Sequence, residues 1–417
     1  MNRKWTLITI VVVTILTIAT VSTIHSLLTT RMQNVSVSIL LEPPTIGLFL
    51  QWIQQYKGTL SFTFIVDANG SGTYSTTHQW PYSFSYQWFF ENLTWFRILS
   101  TYGDIIPTIP FAIQVNTPDD RITIVNHTLS EWKAYAGHYP AGLFAYQPDT
   151  VVANFLKTKG VGYIMGYCFD QYQLDWITER GGWQLPYYAS STNVLGPENT
   201  SQGGVVILPW VTWDWVSSFT VNHLLDGEPE DVPVGNMTTY VTDLMKASLS
   251  ASSPLSYFGF SFVFDSVSKA GDLPIVDQIL SWIEQQHYST MPASEFVSWF
   301  ESNYRQTPTY TVDFTSPYNG HKVEWYYSQS YRIARTNESV VSFVDYSSQR
   351  PDPYLTSHAV VNFSSPHIDS NTMDNSLSFV IDALGGGMYR APVRDSSIQY
   401  SGSLSDFPSY YEATSRE

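Results

Sequence analysis

The sequence predicts an α/β fold: a β/α barrel of TIM-like or seven-stranded type, followed by a C-terminal antiparallel β-sandwich and preceded by an N-terminal transmembrane helix. Three observations predict it. Residues 5–28 are apolar and uncharged, near-continuous apolar runs alternate with helical patterns over 35–304, and beyond residue 308 short runs alternate apolar with polar residues. Strands covered on both faces of a parallel sheet read as continuous apolar runs, whereas strands with one wet face alternate.

The first element is the 24-residue run 5–28. A helix of that length rises about 36 Å, enough to cross a hydrocarbon core of roughly 30 Å. Arg3 and Lys4 precede it and Arg31 follows, so residues 1–4 form a cytoplasmic stub and the bulk of the chain is expected outside the cell, single-pass. The run is longer than the apolar region of a signal peptide, about 7–15 residues, and VSTIHSLLTT offers no A-x-A-like cleavage site. Eight N-x-S/T sequons, at Asn34, Asn69, Asn92, Asn126, Asn199, Asn236, Asn337 and Asn362, agree with export and are the expected glycosylation sites.

The barrel domain is expected over 35–304. Its strand-like runs are VSVSILLE (35–42), TLSFTFIVD (59–67), DIIPTIPFAI (104–113), GVGYIMGYCFD (160–170), GGVVILPWV (203–211) and SYFGFSFVFD (256–265). Helical patterns lie at 47–56, 148–160, 273–286 and 293–304; the second opens with Pro-Asp and stops at Gly160, both helix punctuation. The β domain is expected over 308–395, from runs at 310–316, 321–335, 339–348, 358–365 and 376–383, with a polar tail at 396–417.

Composition narrows the function. Charged residues make up 13% of the chain against about 25% in ordinary domains, and aromatic residues 16%, which describes a packed core and not disorder. A net charge of −16 without a long acidic block excludes nucleic acid as partner and describes a solvated surface. Cys168 is the only cysteine, so no intrachain disulfide forms, and its apolar setting GYIMGYCF reads as core.

Side chains at the carboxyl ends of barrel strands converge on one face. Those positions are repeatedly acidic: Glu42, Asp67, Asp170, Asp214 and Asp265. Two carboxyl groups flanking a sugar can act as acid and base, or acid and nucleophile, so Glu42, Asp67, Asp214 and Asp265 are the catalytic candidates. Trp80, Trp183, Trp210, Trp213 and Trp215, with Asp170, are the substrate-binding candidates, because indole faces stack on sugar rings while carboxylates bind hydroxyls. Each has a structural alternative: an aspartate after a strand often caps the next helix, and tryptophan is commonly core. No G-x-S-x-G, phosphate loop, C-x-x-C or H-E-x-x-H motif is present, and neither a metal nor a cofactor is expected.

The unit PDTVVANFLKTKGVGYIMG (148–166), the run GGVVILPW (203–210) followed by an acidic residue, and the β domain after the barrel resemble the glycoside hydrolase/deacetylase superfamily of irregular seven-stranded β/α barrels. The resemblance covers 35–304 and implies a carbohydrate-active protein. The family's deacetylases carry a paired-Asp motif after the first strand and an H-x-x-x-H metal site. Here the first strand ends in LLEPP and none of His78, His127, His138, His223 or His287 has that spacing, so the glycosidase branch, needing two carboxylates, fits better. The expected function is a membrane-anchored extracellular carbohydrate-active protein with a glycan ligand; the alternatives are a non-catalytic glycan binder and a structural envelope glycoprotein.

Overall fold

The computed structural model describes residues 32–68, 84–109, 113, 116–145, 148–166, 183–198, 204–216, 235–337, 339–346, 351–352, 355–357 and 400–409. Residues 33–417 group as one compact unit, and every element below belongs to it. The expected membrane segment 5–28 lies outside the described residues; among these, no helix is long and apolar enough to cross a membrane.

In chain order the barrel comprises β1 (Gln33–Leu41), α1 (Ile46–Trp52), β2 (Phe62–Val66), α2 (Gln87–Phe90), α3 (Leu93–Leu99), β3 (Gly103–Pro107), α4 (Pro118–Ala136), β4 (Gly142–Phe144), α5 (Thr150–Lys159), β5 (Tyr163–Gly166), β6 (Tyr187–Tyr188), β7 (Val206–Pro209), α6 (Met237–Ala251), β8 (Ser252–Ser253), β9 (Ser256–Val263), α7 (Phe264–Ala270), α8 (Leu273–Gln285) and α9 (Ala293–Asn303). The antiparallel part follows as β10 (Tyr310–Thr315), β11 (Lys322–Tyr327), β12 (Tyr331–Thr336) and β13 (Ser339–Asp345). Local signals set the helices. At α5 the Asp149 carboxylate accepts from the Val152 N–H, and Gly160 at φ 72° ends the helix where a side chain would be strained. α4 starts at Thr117 and Pro118 and stops at Gly137, φ 84°.

Among the described residues, seven parallel strands form the barrel wall. β3-β2-β1-β9 make one sheet and β4-β5-β7 another, with β6 antiparallel at the edge of β7. A bridge between Thr108 and Phe144 joins β3 to β4. On the other side the Thr212 N–H donates to the Gly259 carbonyl (3.0 Å) and the Gly259 N–H to Thr212 Oγ1 (2.8 Å), which joins the chain after β7 to β9. A Cβ on Gly259 would lie 2.4 Å from the Trp210 carbonyl oxygen, so this junction requires glycine. α1 packs outside the wall: Phe49 meets Phe64, Trp52 meets Phe262 and Tyr56 meets Phe62, with ring centroids 5.7–6.0 Å apart.

The C-terminal strands form one antiparallel sheet, β13-β12-β11-β10-β8, whose last strand belongs to the barrel chain. β10 alternates buried and exposed residues, as expected for a sheet with one covered face. Ile333, Val340, Phe343, Leu404 and Phe407 form a cluster that ties residues 400–409 to the sheet. Tyr310, Trp325 and Tyr327 face Trp183 and Trp215 instead, so the sheet is cemented to the barrel by aromatic packing. The expected second layer of a sandwich is not seen among the described residues; the runs 358–365 and 376–383 lie outside them. The run 321–335, expected as one strand, is a hairpin turning at residues 328–330.

Candidate active site

Strand parity decides which side chains enter the barrel mouth. Phe62 and Phe64 of β2 and Phe262 of β9 face outward onto α1, so Thr63 and Ile65, and likewise Ser261 and Val263, face inward. In the parallel register Ile39 pairs with both Phe64 and Phe262, which turns Ser38 and Leu40 of β1 inward. Two residues on from Leu40, Ile65 and Val263 stand Glu42, Asp67 and Asp265. The register gives their order: Asp67 follows the Leu41–Val66 pair, its N–H donating to the Leu41 carbonyl (3.1 Å), and Asp265 follows the Leu40–Val263 pair by two. Thr108 continues the row beyond Pro107, the partner of Val66. Glu42 therefore stands between two aspartates on strands about 4.8 Å to either side.

Their surroundings differ. Asp67 Oδ1 accepts from Thr108 Oγ1 and from the Ala68 N–H, both at 2.9 Å, while its carbonyl accepts from Trp88 Nε1 (2.8 Å). The Tyr86 hydroxyl donates to the Thr108 carbonyl, so α2 and its flank brace this edge of the mouth. Burial pushes the Asp67 carboxyl above its ordinary value, against the two hydrogen bonds, which favour the ionised form. Glu42 is half-buried and also raised, first by burial and then by the negative charges of Asp265 and Asp67 and by hydrogen bonding with Asp265; Lys269 opposes these. Asp265 is buried and its Oδ2 pairs with Lys269 Nζ at 2.5 Å.

Asp214, expected with these three, is elsewhere. It is fully buried and accepts from Ser316 Oγ (2.5 Å), the Val216 N–H (3.0 Å) and the Tyr240 hydroxyl (3.4 Å), linking the chain after β7 to α6 and to the end of β10. This position is a structural junction because β7 ends at Pro209 and the chain then turns under the C-terminal sheet. For the same reason Trp183, Trp210, Trp213 and Trp215, at 0–2% exposure, offer no face to a sugar. Trp210 packs on Phe144, Trp215 on Trp325 and Tyr327, and Trp183 Nε1 donates to the Tyr346 hydroxyl. Trp80 and Asp170 lie outside the described residues.

Among the sequons, Asn34 is buried in β1, its Oδ1 accepting from the Met291 N–H, and has no room for a glycan in the folded chain. Asn92, Asn126, Asn236 and Asn337 are exposed; Asn69, Asn199 and Asn362 lie outside the described residues. Sequence reasoning missed Thr108 and Lys269. Lys269 was visible as the i+4 partner of Asp265 on a helix, and Thr108 as the residue ending β3 in register.

Among the described residues the mouth presents three carboxylates, a threonine and a lysine, and no three His, Cys, Asp or Glu side chains are grouped to hold a metal ion. His127 instead contacts the Phe84 carbonyl and Glu131.

No protein-family profile and no curated protein sequence matches the chain. Solved structures do. A protein from Parabacteroides distasonis described as a suspected glycoside hydrolase/deacetylase superposes with a TM-score of 0.62 at 12% identity, over 79% of this chain and 89% of that one. A suspected polysaccharide deacetylase from Mycobacterium smegmatis gives 0.38 at 12% identity over 66% and 91%, an overlap too loose to define a shared fold. The chain thus shares its fold with the Parabacteroides protein.

Proposed function

We propose that the protein is a membrane-anchored, extracellular carbohydrate-active protein whose barrel mouth cleaves glycosidic bonds with Glu42 and Asp67. The observation that carries this reading is the row of inward carboxyl groups at adjacent strand ends, with Glu42 raised above its ordinary value among them. A carboxyl that holds its proton above the ordinary carboxylate range is suited to protonate a leaving-group oxygen. Asp67, held by Thr108 Oγ1 and the Ala68 N–H, is the partner that would act as base or nucleophile at the anomeric carbon. The likeness in fold to the Parabacteroides structure supports a glycan as the ligand, and the apolar run 5–28 with its positive flanks supports the anchor.

The test is a chromogenic-glycoside and glycan-array screen of the purified full chain beside Glu42→Gln and Asp67→Asn. Turnover that disappears in both folded variants supports the reading. Binding without turnover makes the protein a glycan receptor, and silence in both assays favours a structural envelope role.

A further inference from the structure

The buried face of α4 runs through Arg121, Val125, Thr128 and Trp132, three or four residues apart, and the next position on it is Tyr135. Tyr135 continues the core stripe yet is 39% exposed. Its ring stacks on Phe90, with centroids 4.8 Å apart and planes 11° apart, and Phe90 also meets Trp132 (5.0 Å) and Phe96 (5.6 Å). Leu93, three residues before Phe96 on α3 and therefore on a neighbouring part of the same helix face, is 45% exposed. The aromatic packing between α2, α3 and α4 thus opens to water at Tyr135 and Leu93. Asn92 stands at that opening, two residues after Phe90 and directly before Leu93. It is exposed and begins the sequon Asn92-Leu93-Thr94, whose threonine is exposed too. Its Oδ1 accepts from the Thr94 N–H (3.1 Å), and Nδ2, the atom that takes a sugar, makes no bond to the described residues.

Single exposed apolar side chains need no explanation, but two of them around a stacked aromatic pair, beside an attachment point for a sugar, offer the apolar wall on which the C–H face of a pyranose packs. We propose that an N-linked glycan on Asn92 folds back onto this surface, its first sugar lying against Tyr135 and Leu93, so that the glycan completes the packing of α2, α3 and α4. Attachment breaks the Nδ2–H bond and the bond from the sugar's anomeric carbon to a lipid pyrophosphate donor, forms the Nδ2–C1 bond, and releases the lipid pyrophosphate with the proton. The inference rests on the proposed extracellular location and is independent of the chemistry at the barrel mouth.

The full chain, expressed in yeast, tests it through thermal midpoints of wild type, Asn92→Gln, Tyr135→Ala and the double variant, with occupancy read by glycopeptide mapping. Loss of the Asn92 glycan should lower the midpoint by about 1–2 °C while Tyr135 is present and leave it unmoved in the Tyr135→Ala background, the scale of one ring contact in a chain of this size. Enzymatic trimming to a single N-acetylglucosamine should keep the wild-type midpoint. Asn126→Gln is the control: Asn126 lies nine residues before Tyr135, on the opposite side of α4, and its loss should have the same effect with or without Tyr135. If Tyr135→Ala does not fold, Leu93→Ser, which preserves the sequon, takes its place. Equal losses in both backgrounds, no loss in either, or a loss on trimming to one sugar overturns the proposal. A bare Asn92 beside occupied Asn126, Asn236 and Asn337 sinks it and leaves the extracellular reading standing, whereas a chain bare at every sequon sinks both.

Discussion

Replacing Trp215 with alanine separates a sugar platform from core cement. The indole is 1% exposed and its ring lies 6.2 Å from both Trp325 and Tyr327. Burying an aromatic of this size removes roughly 150–250 Å² from water, worth about 4–6 kcal/mol at roughly 25 cal/mol per Å², and buried Trp→Ala changes cost about 3–5 kcal/mol. Unfolding entropy of about 2.1 cal/mol/K per residue, taken over the compact unit 33–417, gives roughly 0.8 kcal/mol/K. The thermal midpoint should therefore fall by about 4–6 °C, read by scanning calorimetry, with the near-UV signal of the Trp215–Trp325–Tyr327 cluster reduced. A variant with an unchanged midpoint and selectively lost glycan binding would refute the assignment and return Trp215 to the sugar-binding surface.

Other perturbations reach other parts of the molecule. Gly259→Ala drives a Cβ to 2.4 Å from the Trp210 carbonyl and should abolish soluble folded protein, whereas Gly47→Ala, with nothing within 4 Å, should leave yield and midpoint unchanged. Arg121→Met strands the buried Asp149 carboxylate, 2.6 Å from Arg121 Nη1, and should cost about 3–5 kcal/mol in denaturant unfolding. It also removes the donor to the Ser357 carbonyl and should hasten limited proteolysis near residue 357. Glu42 and Asp67 are raised, so the folded chain holds protons that the unfolded chain releases. Their stabilisation is complete below the ordinary carboxylate range of about 4 and is lost as pH rises through the raised values; Glu42→Gln should flatten that decline in denaturation midpoints measured against pH. Glycopeptide mapping after expression in a glycosylating host should find Asn34 unmodified and glycans at Asn92, Asn126, Asn236 and Asn337; occupancy at Asn34 in folded protein would contradict its burial.

Six of the seven barrel strands were legible as apolar runs, because strands covered on both faces leave that trace. β4, three residues in AGLFAY, was too short to stand out. α4 was missed because its β-branched residues and mixed faces give weak helical periodicity, although Thr117-Pro118 and Gly137 mark both ends. At the barrel mouth, the acidic residues read after strands include Glu42, Asp67 and Asp265, which follow adjacent strands in register. Asp214, reached by the same rule, lies buried against the start of a second sheet that the sequence does not reveal. That cover also turned the tryptophans after β7 into core: a strand-end aromatic looks alike whether it will meet a sugar or another aromatic.

The proposed chemistry of Glu42 and Asp67 on a glycan, and the structural role of Asp214, are tested by kcat/KM on the best glycoside for wild type, Glu42→Gln, Asp67→Asn and Asp214→Asn, each verified as folded. Losses of about 10²–10⁴-fold are expected in the first two variants, the scale of acid–base catalysis, and activity proportional to folded protein in the third. Full activity in folded Glu42→Gln and Asp67→Asn, or a catalytic loss confined to folded Asp214→Asn, would contradict these roles.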